Sequence, residues 1–65
     1  MLYVDIVDVV NEADGTVSAT MVCDGTAVRC EGMMFMEHLD TEQAVMVFEE
    51  WLEFARLGEA GYTIL

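Results

Sequence analysis

The polar and apolar positions of this chain change period once. From Leu2 to about residue 36 the apolar residues come in runs or at every second position, as strands require. From Thr41 to Leu57 they recur at three and four positions, as a helix requires. Leu2–Val10, rich in Val and Ile, predicts a first strand over about 2–10. Asn11-Glu12-Ala13-Asp14-Gly15 is a turn signal. Thr16–Cys23 alternates, with Val17, Ala19, Met21 and Cys23 on one side and Thr16, Ser18 and Thr20 on the other, and predicts a second strand over 16–23. Asp24-Gly25 is a two-residue hairpin signal. A third strand is expected over about 26–36, with Gly32 as the place for a bulge.

The Asp24-Gly25 turn fixes a register. Cys23 faces Thr26, Met21 faces Val28 and Ala19 faces Cys30, so all six share one face, as a core face should. A four-residue loop Glu12–Gly15 sets Val10 opposite Val17 and Ile6 opposite Met21. Leu2, Val4 and Ile6 then join the same face, and so does Asp8, which is out of place there. Either Asp8 lies at the rim, or a bulge shifts the parity between Ile6 and Val7.

Asp40 is a good N-cap residue, and Gln43 three positions on completes a capping box. Glu42 suits the first turn and Arg56 the last, and Gly58 is the expected C′ residue. The helix is expected over about 41–57. At 100° per residue its apolar face is Ala44, Val47, Phe48, Trp51, Leu52, Phe54 and Ala55, with Glu42, Glu49 and Glu53 nearly opposite, Met46 among them, and Glu50 toward one edge. Tyr62–Leu65 is apolar and can add a short terminal strand. The expected architecture is α+β in one domain, 1–65: a three-stranded antiparallel β-meander packed against one amphipathic C-terminal helix.

Composition adds a charge problem to this fold. Thirteen carboxylates stand against two arginines and no lysine, a formal net charge of −11 on 65 residues. A small domain is kept soluble by a net charge of magnitude about 2–8, and self-repulsion opposes compaction. The excess therefore points to a partner. A hydrophobic fraction of 55% and mean hydropathy of +0.41 exclude a disordered acidic tail. No apolar run approaches the ~20 residues of a membrane span, and a signal peptide is not expected. Nucleic acid and anionic lipid share the chain's sign, so neither is an expected direct partner.

Catalysis fares poorly. His38 is the only histidine, and Cys23 and Cys30 point into the expected core, where thiols behave as small hydrophobes. Paired carboxylates in a pocket need a pocket, for which one sheet and one helix leave little room. A calcium loop at Asn11–Gly15 fails: with Gly15 as the invariant glycine, Val10 and Met21 occupy the first and last ligand positions. Cys23, Cys30 and His38 lack zinc-ligand spacing. No enzyme, metal or cofactor is expected.

The candidate site is the acidic surface itself: Glu42, Glu49, Glu50 and Glu53 on the helix, and Asp5, Glu31 and Glu37 on the outer side of the sheet. Glu49 and Glu53 are separated by about 6 Å of helix rise, and Glu42 and Glu49 by about 10.5 Å. These separations are close to two and three steps of a nucleic-acid strand at about 3.4 Å each. Met46, Met33, Phe35 and Tyr3 are either apolar anchors for a partner or, the more favoured role, packing beneath the C-terminal tail, with Met33 and Phe35 read on the outer side of the third strand. In size, charge and layout the chain resembles the small acidic anti-CRISPR inhibitors of phages and mobile elements that act as DNA mimics, and is similar to a type I-C anti-CRISPR. That resemblance implies a non-enzymatic monomer in the cytoplasm of a bacterial host. It would bind a basic DNA-binding surface of a Cas surveillance complex where the protospacer-adjacent motif is read. Two other readings explain the same residues. One is a purely solvated, halophilic-type acidic surface. The other is a small adaptor or self-associating module using Met33, Phe35 and Tyr62–Leu65.

In the hairpin register Cys23 and Cys30 stand four positions apart, roughly 13 Å along the sheet, beyond the ~7 Å between Cα atoms that a disulfide spans. The intact-protein mass under non-reducing conditions is expected to be that of a monomer with two thiols. A monomer lighter by two hydrogens would overturn the register.

Overall fold

The computed structural model describes residues 2–33 and 39–65. Among them, four strands form one open antiparallel sheet in the order β1-β2-β3-β4. The strands are β1 (Val4–Asn11), β2 (Val17–Cys23), β3 (Thr26–Met33) and β4 (Tyr62–Ile64), and helix α1 (Thr41–Arg56) precedes β4. The expected α+β meander with its helix and short terminal strand is therefore the fold. The last part of the expected third strand, residues 34–36, lies outside the described residues, as do Glu37 and His38.

The β2–β3 hairpin has the register its turn dictates: Cys23 pairs with Thr26, Met21 with Val28 and Ala19 with Cys30. Asp24 and Gly25 both have positive φ, 50° and 80°, as a turn matching the strand twist requires. Beyond Cys30 the register slips by one, so Val17 pairs with Met33. The inserted residue is accommodated at Gly32, whose φ of 77° is costly for a residue with a Cβ. The bulge inverts the parity of Met33. Met33, expected on the outer side, instead packs against the core.

The β1–β2 pairing corrects the expected loop. Ile6 does face Met21, but Val10 pairs with Ser18 and Asn11 with Val17, rather than Val10 with Val17. One extra residue lies in β1 between Val7 and Val10, a step later than a bulge between Ile6 and Val7. Asp8 occupies it with φ 52°, a left-handed conformation that Asp tolerates better than most residues. The bulge removes Asp8 from the core face, where alternation alone would have put it.

The helix begins as its sequence specifies. Asp40 accepts a hydrogen bond from the Gln43 N–H at 2.8 Å, and the Gln43 side chain accepts one from the Asp40 N–H at 3.2 Å. It ends in a Schellman motif: the Glu59 N–H donates to the Phe54 carbonyl and the Gly58 N–H to the Ala55 carbonyl. This turn sends the chain back beside β3, where Tyr62 pairs with Cys30 and Ile64 with Val28.

The core lies between the sheet and α1. Val4, Ala19, Met21, Cys23, Val28 and Cys30 meet Ala44, Phe48 and Trp51. Tyr62 closes one end, its ring centroid 6.5 Å from that of Trp51 and 5.1 Å from that of Phe54. Phe54, expected on the buried face, sits at its margin and is 38% exposed. Met21 has no exposed surface, so no nearby solvent can fill the space its side chain leaves. Met21→Ala is expected to cost about 2–5 kcal/mol, comparable to the whole stability of a domain this small. Urea unfolding measures it, and a loss under about 1 kcal/mol would show that the core closes over the gap.

Candidate charge-bearing surface

Glu37 lies outside the described residues; the other twelve carboxylates are all exposed. The small core explains why, because an unpaired carboxylate buried there would cost far more than the fold can offset. Their arrangement follows from the two elements that carry them.

On α1 the burial of Ala44, Phe48 and Trp51 fixes the rotation of the helix and turns the opposite side to solvent. Glu42, Glu49 and Glu53 fall on that outward line, Glu50 beside it, and Met46, 63% exposed, among them. The four helix glutamates expected as a group are thus brought together on one accessible face. Like charges at i,i+4, as in Glu49 and Glu53, disfavour the helix by a few tenths of a kcal/mol. The helix tolerates this because its stability comes from the packed face and the caps.

The outer face of the sheet is different from the one expected. Asp5 and Glu31 are exposed there, but Arg29, on β3 with Glu31, reaches across this face toward β1. Its Nη1 donates to Thr20 Oγ1 at 2.8 Å and to the Asp8 carbonyl at 3.3 Å. Its Nε is 3.8 Å from Glu31 Oε1, the one ion pair among the described residues. Arg29 therefore ties β3 across β2 to the β1 bulge and partly offsets the charge of Glu31. A pair this exposed is worth about 0–1 kcal/mol, so its effect is on position and local potential more than on stability. Asp5 and Glu31 do not continue the helix row. They sit on the opposite face of the sheet from α1.

The middle of that outer face is polar and buried, which alternation could not indicate. Ser18 and Thr20 are 1% and 3% exposed. Ser18 donates to Glu12 Oε1 at 2.9 Å and accepts from the Gly32 N–H at 3.4 Å. No buried side-chain polar atom among the described residues lacks a partner. A shallow hollow lined by Glu12, Asp14, Ser18, Glu31 and Gly32 opens beside it. Among the described residues no three His, Cys, Asp or Glu side chains converge as a metal site.

Asp14 has a structural task at the β1–β2 turn. Its carboxylate accepts from the Thr16 hydroxyl at 2.6 Å and from the Thr16 N–H at 3.0 Å. Those two bonds, the hydroxyl first, hold its pKa below the ordinary carboxylate value of 3.8. Cys23 and Cys30 are free and buried. Burial pushes the Cys30 thiol up, with Glu31 adding to the rise and Tyr62 opposing it. Burial likewise raises the Tyr62 phenol. Neither group is poised as a nucleophile at neutral pH.

No helix among the described residues is long and apolar enough to cross a membrane. No protein family, curated protein or solved structure matches the chain.

The shifted group at the turn gives a signed pH dependence. A carboxylate whose pKa is lower folded than unfolded stabilises the fold fully above its unfolded pKa, and this is lost as pH falls through the folded value. Asp14→Asn is expected to lower the melting temperature at pH 7. The gap from the parent protein should close as pH falls below the ordinary carboxylate range near 3.8. A gap that persists unchanged in acid would mean the Thr16 bonds do not depend on the charge.

Proposed function

We propose that this chain is a non-enzymatic inhibitor that presents nucleic-acid-like charge and blocks the basic DNA-binding surface of a CRISPR-Cas surveillance complex. The observation that carries the reading is the exposed row Glu42, Glu49, Glu50 and Glu53, held on a helix whose rotation is fixed by Phe48 and Trp51. Nucleic-acid-binding proteins grip phosphates with Lys and Arg at regular spacing. A rigid row of carboxylates can occupy such a groove without the ordering entropy that a disordered acidic tail would lose. The helix is the main contact surface, and Asp5 and Glu31, on the other side of the sheet and beside Arg29, are secondary. Bacterial cytoplasm is the compartment this function requires.

A small adaptor or self-associating module is the second reading. It is favoured by the exposure of Leu57, Ile64 and Leu65 at the C-terminal end of the fold, since such residues gain by burial against a partner. The two readings differ in salt response, because screening weakens contacts between exposed charges and leaves apolar contacts in place.

The test is competition with duplex DNA for a purified surveillance complex. Each exposed charge contact is worth roughly 0.5 kcal/mol. Replacing Glu42, Glu49, Glu50 and Glu53 together by Gln should then cost about 2 kcal/mol, a weakening of about 30-fold. Competition should also fall steeply as salt is raised. Competition that survives both changes would overturn the charge-mimic reading.

A further inference from the structure

We propose that the free edge of β1 is a docking site for an extended cationic segment of a partner protein, which joins the sheet beside β1 as a further strand. Among the described residues β1 is an end strand of an open sheet and pairs with β2 alone, so a row of its backbone N–H and C=O groups faces outward. Of its eight residues, Val4 alone is buried. Ile6, Val7, Val9 and Val10 are between 37% and 53% exposed, and Leu2 and Tyr3 just before them 50% and 69%. Proteins avoid leaving so apolar an edge open, because it templates pairing with any other strand.

Beside this edge lies an apolar groove of about 580 Å³, lined by Leu2, Thr41, Glu42, Val45 and Met46. Leu2 leads into the edge strand and the other four belong to the first turns of α1, so the groove lies between the start of the edge and the beginning of the helix. A strand placed there satisfies its backbone against β1 and can direct alternate side chains toward Val45 and Met46, the pattern of recognition by strand addition.

Charge selects the occupant. Asp5 and Asp8 lie on the strand and Glu42 on the rim of the groove, in a chain of net charge −11. Like charges facing each other across strands destabilise the pairing and opposite charges support it. The negative charge that discourages self-pairing attracts a segment in which Lys or Arg alternates with apolar residues. The site shares Glu42 and Met46 with the outward face of α1 but not Glu49, Glu50 or Glu53, and does not depend on the role of those three.

The probe is a blocked heptapeptide of alternating lysine and valine, titrated into the ¹⁵N-labelled full chain, with an alternating glutamate–valine peptide as control. The expected result is amide shifts confined to Val4–Val10, Val45 and Met46 with the cationic peptide and none with the acidic one. Val9→Lys and, separately, Met46→Lys, both at exposed positions, should weaken binding at least about tenfold while the spectrum stays folded. Glu49→Gln/Glu53→Gln should leave the shifts on β1, which separates this site from the charge-mimic surface. Shifts that follow the helix glutamates instead of β1 would overturn the proposal. So would a dimer in sedimentation that Val9→Lys dissociates, which would assign the edge to a second copy.

Discussion

Among the described residues, one face of a single sheet and one face of a sixteen-residue helix supply the interior of this protein. Met21 and Val28, without exposed surface, sit at its centre, with Phe48 and Trp51 closing it from the helix side. Everything else depends on how little this interior can hold. It has no room for an ionised group, so the carboxylates are forced outward. Because the helix must bury Ala44, Phe48 and Trp51 at once, its rotation is determined, and with it the direction of each glutamate. The charge distribution is thus a consequence of packing, fixed by residues that carry no charge.

The sheet solves a second problem with two irregularities. Strict alternation would aim Asp8 at the core and Met33 at solvent, both unfavourable. An extra residue at Asp8 and another at Gly32 correct the parity at the two outer corners. Arg29 then spans the outer face between them, bonding the Asp8 carbonyl and Thr20 and approaching Glu31. One of only two cations in the chain is used to hold a bulge. That use leaves the outer face closer to neutral around Arg29, while α1 carries four glutamates against Arg56 alone.

Much of this is legible in residue order. The Asp24-Gly25 turn dictates the register of the central hairpin, and Asp40, Gln43 and Gly58 mark the helix ends, because each acts through backbone geometry within a few residues. The helix glutamates are legible as a row because their spacing is periodic. The β1 bulge is legible only as a conflict, since Asp8 on an apolar face demands a remedy without saying where. Met33 is misplaced by simple alternation, because a bulge at Gly32 also inverts the parity of the residue after it. The burial of Ser18 and Thr20 is not legible at all. It depends on Arg29 and Glu12 reaching across strands, and no local pattern records a side chain's reach.

The exposed apolar strand and the extreme charge belong to one physical argument. An edge rich in Val and Ile invites association, and about 25–30 cal/mol gained per Å² of apolar surface buried makes that tendency strong at any concentration where copies meet. A net charge of −11 opposes it between identical chains over a Debye length of about 8 Å at physiological salt. It opposes it not at all toward a cationic surface, where the electrostatic sign reverses and the apolar gain remains. Both proposals draw on this asymmetry: another copy or a nucleic acid meets repulsion, while a surface that offers positive charge with an apolar contact gains from both terms. The absence of lysine sharpens the discrimination, because it leaves few cations on the surface to which another copy's carboxylates could turn.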